Sequence, residues 1–344
     1  MQEKIIVTGG CGYIGSHTVI TLIHHNYEVV ILDDLSNSNL QILDRIEKIT
    51  GNRPQFEQVD LKSSEATQSV FRTHKDAKAV IHFAAHKAVA ESVENPLMYY
   101  QNNLFSLLNV LKAQQENAIN HLIFSSSATV YGNPSKMPIT EDAPTQRSSS
   151  PYGNTKKIAE EILEDFTNSQ SEISVISLRY FNPIGAHESG QIGEFPTGIP
   201  NNLMPYITQT AAGIREKLMV FGNDYPTKDG TPIRDYIHVV DLAEAHLKAL
   251  QRLLDSSVTK PLEVFNLGTG NGYSVLEMIA AFETVSGSPL NYEITDRRPG
   301  DVPVMFASTT LAKQVLNWEA TRGLHEMIQS SWAWEQNLRN ELEQ

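Results

Sequence analysis

Tyr152 and Lys156 are the side chains best suited to moving a proton, because residues four apart share one face of a helix. Pro151 suits the first position of that predicted helix, and the serines before it can cap it. A free phenol has a pKa of about 10 and is a poor base at neutral pH. An ammonium group roughly 6 Å away, at an effective dielectric of about 20, contributes on the order of 3 kcal/mol, or about two pKa units. The pair therefore predicts a tyrosine that exchanges a proton with a substrate hydroxyl near neutral pH.

Ser127 is the third candidate catalytic residue. It follows an apolar run, His121 to Ser125, that predicts a strand. Its hydroxyl can hold the substrate hydroxyl or share its proton. Chance matches to a Tyr-x-x-x-Lys pattern are common, so this set gains its meaning from a nucleotide motif near the start of the chain.

That motif is a glycine loop, with glycines at positions 9, 12 and 15 after the apolar run Ile5-Ile6-Val7 and before a predicted helix. Such a loop permits a tight turn and close approach of the backbone to a pyrophosphate at a helix N-terminus. Asp33 ends the next strand, 18 residues past Gly15, where a carboxylate can accept hydrogen bonds from ribose hydroxyls. It would repel a 2′-phosphate, and no arginine follows it, so we predict NAD rather than NADP. Together with Tyr152, this loop indicates hydride transfer at a nicotinamide.

The elements that position these residues alternate short apolar runs with amphipathic segments, which indicates a doubly wound parallel sheet covered by helices on both faces. From Phe181 about twenty residues are rich in glycine and proline, and we expect an ordered binding lobe there. We expect residues 1–181 to form the cofactor domain, joined by about residues 236–268. Residues 182–344 then form a smaller α/β substrate domain.

Composition limits the partners. The 344 residues carry a net charge of −13, which argues against nucleic acid and anionic membrane surfaces. The single cysteine, Cys11, excludes an intrachain disulfide, and no metal-ligand spacing is present. No apolar run reaches about 18 residues, so we expect no membrane span. Because Lys4 to Thr8 already predict a strand, we expect no signal peptide and a cytoplasmic location.

Several stretches carry a resemblance that runs nearly end to end: VTGGCGYIGSH (7–17), HFAAHKAVAES (82–92), FSSSATVYG (124–132), SPYGNTK (150–156), LRYFNPIGA (178–186), GIPNNLMPY (198–206), VFGNDYPT (220–227) and RDYIH (234–238). The chain resembles the extended short-chain dehydrogenase/reductase superfamily, which has a Rossmann fold. Within it, the chain is similar to the UDP-glucose 4-epimerase family. The last four stretches are far more specific than the superfamily signature.

The resemblance implies a tightly held NAD that is reduced and reoxidised in one turnover, with a 4-keto sugar that rotates before hydride returns to its other face. Tyr152 would take the proton of the 4-hydroxyl with help from Ser127, and Lys156 would bind the nicotinamide ribose. It assigns to the cofactor Gly9, Gly12, Tyr13, Ile14, Gly15, Asp33, Asn37, Asp60, Leu61, Phe83, Ala84, Lys87, Asn102, Tyr152, Lys156 and Tyr180. It assigns to the UDP-sugar Ser127, Tyr152, Asn182, Asn202, Leu203, Phe221, Arg234, Arg298, Asp301 and Met305.

Three positions depart from the family pattern. Ala85 and His86 replace an expected glycine and a small apolar residue before Lys87, so they can alter cofactor contacts. Met305 occupies the position thought to control access for an N-acetyl group, where tyrosine tends to exclude it and a small residue tends to admit it. Methionine is flexible and intermediate in bulk, so activity on UDP-N-acetylhexosamines stays open.

Two other functions fit the sequence less well. A nucleotide-sugar 4,6-dehydratase would need an Asp-Glu pair where this chain has Ala128 and Thr129. A non-catalytic NAD-binding sensor has no need for the set formed by Tyr152, Lys156 and Ser127. The family often dimerises through two helices, here the one from Leu97 to about Glu116 and the one carrying Tyr152, so we expect a homodimer.

Overall fold

The computed structural model describes residues 2–170, 172–196, 198, 200–298 and 300–342. The other residues of the predicted domains, 1, 171, 197, 199, 299, 343 and 344, lie outside the described part of the chain. Ile199, within the predicted motif 198–206, is one of them.

The strands are β1 Lys4–Thr8, β2 Glu28–Asp33, β3 Gln55–Gln58, β4 Ala79–His82, β5 His121–Ser127, β6 Ser174–Tyr180, β7 Asn182–Ile184, β8 Leu218–Phe221, β9 Ile233–His238, β10 Leu262–Leu267, β11 Gly272–Ser274, β12 Tyr292–Thr295 and β13 Val304–Met305. The α-helices are α1 Tyr13–His24, α2 Gln41–Thr50, α3 Ser64–Thr73, α4 Val89–Glu94, α5 Pro96–Asn117, α6 Pro151–Ser169, α7 Leu203–Ala211, α8 Val239–Leu254, α9 Val275–Ser286, α10 Thr310–Val315 and α11 Leu324–Leu342. A 3-10 helix spans Ala128–Tyr131.

Seven parallel strands form the main sheet in the order β10-β6-β5-β4-β1-β2-β3, which is a doubly wound, Rossmann arrangement. Alternation along β1 divides the core between the two faces, because successive side chains point to opposite sides. Ile5 and Val7 pack into a core shared with α1 and α8, whereas Ile6 belongs to the core under α3, α5 and α6. The predicted doubly wound sheet is confirmed.

A smaller α/β lobe follows β6. Strand β9 lies between β11 and β13 and also pairs with β7, while β8 and β12 form a separate parallel pair. The glycine- and proline-rich stretch from Phe181, where we expected an ordered binding lobe, contains the short strand β7, and pairing with β9 stabilises this strand. Strand β10 returns to the main sheet beside β6, although it is distant in sequence. The division of the chain into two domains stays a prediction.

Candidate active site

The start of α6 positions the predicted catalytic tyrosine. Ser150 caps the helix by accepting a hydrogen bond from the Gly153 amide at 3.2 Å, and Pro151 occupies its first position. A Cβ at Gly153 would lie 3.0 Å from Cβ of Thr129, which belongs to the 3-10 helix directly after Ser127. The absence of a side chain at this glycine lets the first turn of α6 approach the end of β5.

Tyr152 and Ser127 come together at this approach. Burial raises the pKa of the Tyr152 phenol, and a hydrogen bond with Ser127 acts in the opposite direction. The Ser127 hydroxyl also accepts a hydrogen bond from the Thr129 hydroxyl at 3.0 Å. The prediction that Lys156 lowers this pKa towards neutrality was wrong for the protein's own groups, because desolvation outweighs the hydrogen bond with Ser127.

The position of Lys156 accounts for part of the difference between the expected and the observed pKa of Tyr152. Its ammonium group is buried, donates a hydrogen bond to the main-chain oxygen of Ser125 at 2.6 Å, and lies 5.0 Å from the centre of the Phe124 ring. Desolvation lowers its pKa to about 8, and the charge of Glu160, one turn further along α6, partly offsets that effect. Glu160 itself is paired with Arg179 at 2.7 Å.

The glycine loop has the shape that a dinucleotide requires. Gly9 has a φ of +68°, and a Cβ there would lie 2.7 Å from the Ala84 amide nitrogen. A Cβ at Gly15 would lie 2.3 Å from the Gly9 carbonyl oxygen, so only glycine allows α1 to begin this close to β1. No side chain caps α1 at Gly12, which leaves its N-terminal amides free to bind phosphate oxygens. The loop therefore fits a pyrophosphate.

Asp33 lies where a ribose would need an acceptor. Its carboxylate accepts hydrogen bonds from the amides of Cys11 and Leu35 and from the Ser38 hydroxyl. It is buried, and desolvation raises its pKa. These contacts hold the carboxylate beside the glycine loop, and no arginine or lysine contact to Asp33 occurs among the described residues, so the site fits NAD.

The remaining predicted cofactor residues lie on α1, on the loops after β2, β3 and β4, on α5 and at the end of β6. Tyr13 of α1 donates to the Gly185 carbonyl at 2.6 Å, and Lys87 lies 5.8 Å from the centre of its ring. Lys62 contacts Asp60 at 3.1 Å and donates to Asn102 at 3.3 Å. The others are found at these positions: Ile14 in α1, Asn37 after β2, Leu61 after β3, Phe83 and Ala84 after β4, and Tyr180 at the end of β6.

Most of the predicted UDP-sugar residues gather in the smaller lobe. Asp301 lies 3.6 Å from Arg234 and 3.0 Å from Arg298, so one carboxylate holds two arginines together. The Arg298 guanidinium lies 5.0 Å from the centre of the Phe221 ring, and Met305 pairs with Arg234 across β13 and β9. Two positive charges and an aromatic ring thus lie together, with Met305 on the strand next to Arg234.

Backbone pairing connects this group to the catalytic residues. Ser127 pairs with Tyr180 across β5 and β6. Asn182, two residues later, begins β7, which runs beside the β9 strand of Arg234. Neighbouring strands are about 4.8 Å apart, so the predicted catalytic and substrate residues lie along adjoining strand ends.

Glu194 is a site residue that the sequence did not indicate. Its Oε1 accepts hydrogen bonds from Lys87 at 2.8 Å and from Asn202 at 2.7 Å. Asn202 directly precedes Leu203, the first residue of α7. One carboxylate therefore joins a predicted cofactor residue to a predicted substrate residue. A carboxylate in a glycine-rich loop gives no periodic signal, so no pattern could have identified it.

Comparisons with known proteins agree with this geometry. A family model described as GDP-mannose 4,6 dehydratase matches residues 6–331. The UDP-glucose 4-epimerase of Bacillus subtilis (strain 168) is 55% identical over 336 residues, which cover 98% of each chain. The chain belongs to the UDP-glucose 4-epimerase family.

Solved structures of UDP-glucose 4-epimerases have the same fold. One from Stenotrophomonas maltophila, with bound NAD and formylated UDP-arabinopyranose, is 44% identical, with a TM-score of 0.95 over 99% of this chain and 100% of that chain. One from Bifidobacterium longum, in complex with NAD+ and UDP, is also 44% identical, with a TM-score of 0.93 over 98% of this chain and 99% of that chain.

The family model is described as a dehydratase, but this site lacks the acid and base residues that a dehydratase needs. Ala128 and Thr129 occupy the positions where a dehydratase would carry its acid and base, and the Thr129 hydroxyl donates to Ser127 instead. Among the described residues, no group of three or more His, Cys, Asp or Glu is arranged to hold a metal ion. None of the helices in the described part is both long and apolar enough to cross a membrane.

Proposed function

We propose that this protein catalyses the reversible NAD-dependent epimerisation at C4 of UDP-galactose and UDP-glucose through a 4-keto intermediate, a reaction of galactose metabolism. The observation that carries the proposal is the meeting of Tyr152 with Ser127 at the end of β5, beside a loop that fits a dinucleotide. The epimerases that the chain matches, two of them solved with NAD, support the same reaction.

Bound NAD would accept hydride from C4 of the sugar and return it. Tyr152 accepts the proton of the 4-hydroxyl through its phenol oxygen, and Ser127 shares a hydrogen bond with that oxygen. Burial makes the phenol hold its proton, so Tyr152 ionises only under the influence of positive charge. The Lys156 ammonium and the oxidised cofactor are the two sources of that charge.

The smaller lobe would hold the nucleotide end of the substrate. A protein with a net charge of −13 needs local cations to bind a diphosphate, and Arg234 and Arg298 supply planar donors suited to its oxygens. Asp301 fixes both guanidinium groups before substrate arrives. Binding through this end leaves the sugar free to turn after oxidation, so that hydride returns to the other face.

A second activity on UDP-N-acetylhexosamines is favoured by one observation. Met305 is partly buried on β13, directly opposite Arg234, where a bulkier ring would restrict the space beside the sugar. A flexible side chain there is compatible with an acetamido group.

Self-association is also part of the proposal. The exposed apolar side chains of α4 and α5 are Val89, Val93, Leu97, Met98, Phe105 and Leu108. Leu97 is 82% exposed, and α5 packs beside α6. A second copy of the chain that covers this face would bury these side chains in a helix–helix contact, giving a homodimer.

Two further features complete the proposal. Residues 1–181, with about 236–268, bind NAD, and residues 182–344 bind the UDP-sugar, as the two groups of predicted site residues suggest.

A cytoplasmic location is supported by the single cysteine, since such a chain cannot depend on an intrachain disulfide. Fractionation of cells that express a tagged chain tests the location.

The decisive experiment incubates the purified protein separately with UDP-galactose and UDP-N-acetylgalactosamine, with and without added NAD, and resolves the products by anion exchange. UDP-glucose from the first substrate supports the proposed reaction. Conversion of both substrates adds the second activity. Conversion of neither, even with NAD, contradicts the epimerase function and favours a binding role.

A further inference from the structure

The hydroxyl group of Tyr225 has no hydrogen-bond partner among the residues that the structure describes. The side chain is 4% exposed, and its oxygen is buried without a hydrogen bond to any residue that the structure describes. Buried hydroxyl groups are almost always hydrogen-bonded, because an unpaired one has lost water and gained nothing in return. A ligand that supplies an acceptor would remove this deficit.

The surroundings of Tyr225 are those of the predicted substrate site. Its ring lies against the backbone of Gly222, where a Cβ would be 2.6 Å from Cε2, and Gly222 directly follows Phe221. The guanidinium of Arg297 lies 4.1 Å from the centre of the Tyr225 ring, as that of Arg298 lies 5.0 Å from Phe221. Two consecutive arginines therefore stack on two neighbouring aromatic rings.

Burial keeps the phenol of Tyr225 a hydrogen-bond donor, despite the arginines that face it. Burial and then Asp301 raise the pKa of its phenol, while Arg297, Arg234 and Arg298 lower it, and the net direction is upward. The phenol thus stays protonated at neutral pH. Of these arginines, Arg297 is paired with Asp224, and the other two share Asp301. The group that best matches a protonated phenol beside arginines is an anionic oxygen.

We infer that Tyr225 is a further substrate-binding residue, whose hydroxyl donates a hydrogen bond to a phosphate oxygen of the nucleoside diphosphate held by Arg234 and Arg298. This inference rests on the proposed function for its ligand. It assigns Tyr225 a role in affinity and none in the chemical step, since no hydrogen bond links its hydroxyl to Tyr152 within the part of the chain that the structure describes.

Tyr225→Phe removes only the hydroxyl, so it separates a ligand contact from a structural one. We expect the dissociation constant for UDP, measured by titration calorimetry, to rise roughly tenfold, as for loss of a hydrogen bond to a charged group. Uridine affinity should stay unchanged. The thermal midpoint of the unliganded variant should equal or exceed that of the parent, because an unsatisfied donor has been deleted. Tyr292→Phe, at a 41% exposed tyrosine on β12, is the matched control and should alter none of these quantities.

Three results overturn the inference: unchanged UDP affinity, an equal loss for uridine, or a lower unfolding midpoint of the unliganded variant. The first result would mean that the Tyr225 hydroxyl does not contact UDP. The second would mean that it contacts the nucleoside and not the phosphates. The third would mean that the hydroxyl has a hydrogen-bond partner inside the protein. Binding of UDP does not require turnover. A parent that binds UDP with the expected loss in Tyr225→Phe, yet epimerises nothing, would refute the proposed reaction alone.

Discussion

The ammonium group of Lys156 donates a hydrogen bond to the main-chain oxygen of Ser125, and the two atoms are 2.6 Å apart. This contact fastens α6 to the carboxyl end of β5 only two residues before Ser127. The lysine therefore does more than carry charge, since it also sets the distance between the helix of Tyr152 and the strand of Ser127. Its own charge state then decides how the site responds to pH.

Activity should decline as the pH rises through about 8. Burial lowers the pKa of Lys156 to about 8 from an ordinary value of 10.5, so the ammonium is present below pH 8 and lost above it. Loss of that charge leaves Tyr152 less able to ionise. The pH profile of kcat/KM for UDP-galactose measures this. Lys157→Met, at the adjacent lysine paired with Glu161, should keep the same profile. A profile flat to about pH 10 would show that the charge of Lys156 is dispensable.

Tyr152→Phe should keep the binding of NAD and UDP but lose nearly all turnover. Removing a general acid or base costs about 10²–10⁴-fold, and here the loss should appear in kcat with little change in KM. Steady-state kinetics and calorimetric binding of UDP test both parts. Tyr100→Phe is the control, since Tyr100 lies on α5 and accepts a hydrogen bond from Asn154. Epimerisation within a few fold of the parent would exclude Tyr152 from the proton transfer.

Asp33→Ala should weaken NAD more than NADP. The carboxylate is the predicted acceptor for the ribose hydroxyls, and loss of such a charged hydrogen bond costs roughly 10- to 100-fold in affinity. For NADP the loss of affinity is partly compensated, because a negative charge near its 2′-phosphate is removed. Asp34→Ala is the matched control, since the neighbouring Asp34 carboxylate accepts its hydrogen bonds from the amide and hydroxyl of Ser36. Equal losses for both dinucleotides, measured by fluorescence titration, would mean that Asp33 only supports the glycine loop.

Substitution at Met305 should change the choice between sugars. Met305→Tyr fills the space beside the sugar and should lower the kcat/KM ratio of UDP-N-acetylgalactosamine to UDP-galactose by about tenfold, whereas Met305→Ala should raise it. UDP-galactose turnover serves as the internal control for folding. An identical ratio in all three proteins would place the control of the acetamido group elsewhere.

Leu97→Glu should convert the proposed dimer to monomers. A twofold contact buries this side chain from each copy, and the loss of about 1.5–3 kcal/mol per copy weakens association roughly hundredfold or more. Sedimentation velocity measures the change. Ile294→Glu introduces the same charge at an exposed position on β12 and should leave the dimer intact. A parent that sediments as a monomer would refute the proposed dimer.

Much of the main sheet was predictable because its strands are buried on both faces and form apolar runs. The run Ile5-Ile6-Val7 lies within the observed β1, and the run from His121 to Ser125 lies within β5. The smaller lobe gave no such signal. Strand β12 has three exposed residues in four, and β13 is two residues long, so their pairing depends on tertiary contacts.

The candidate site divides in the same way. The glycine loop and the Tyr152–Lys156 spacing are local features, so the sequence could reveal them. The pKa of Tyr152 is not local, since it depends on burial and on where the Lys156 side chain ends. Glu194 contacts Lys87 across 107 residues, and no spacing rule reaches that far.

The reactivity of Cys11 can report the opening of the glycine loop. It is the only cysteine, it lies buried in the glycine loop, and its amide is held by Asp33. Burial also raises the pKa of its thiol, so the reactive thiolate is scarce in the closed protein. Alkylation should therefore be much faster in molecules whose cofactor loop has opened than in the closed protein. Because Cys11 is the only cysteine, the rate of labelling by a thiol reagent reports how often the cofactor loop opens.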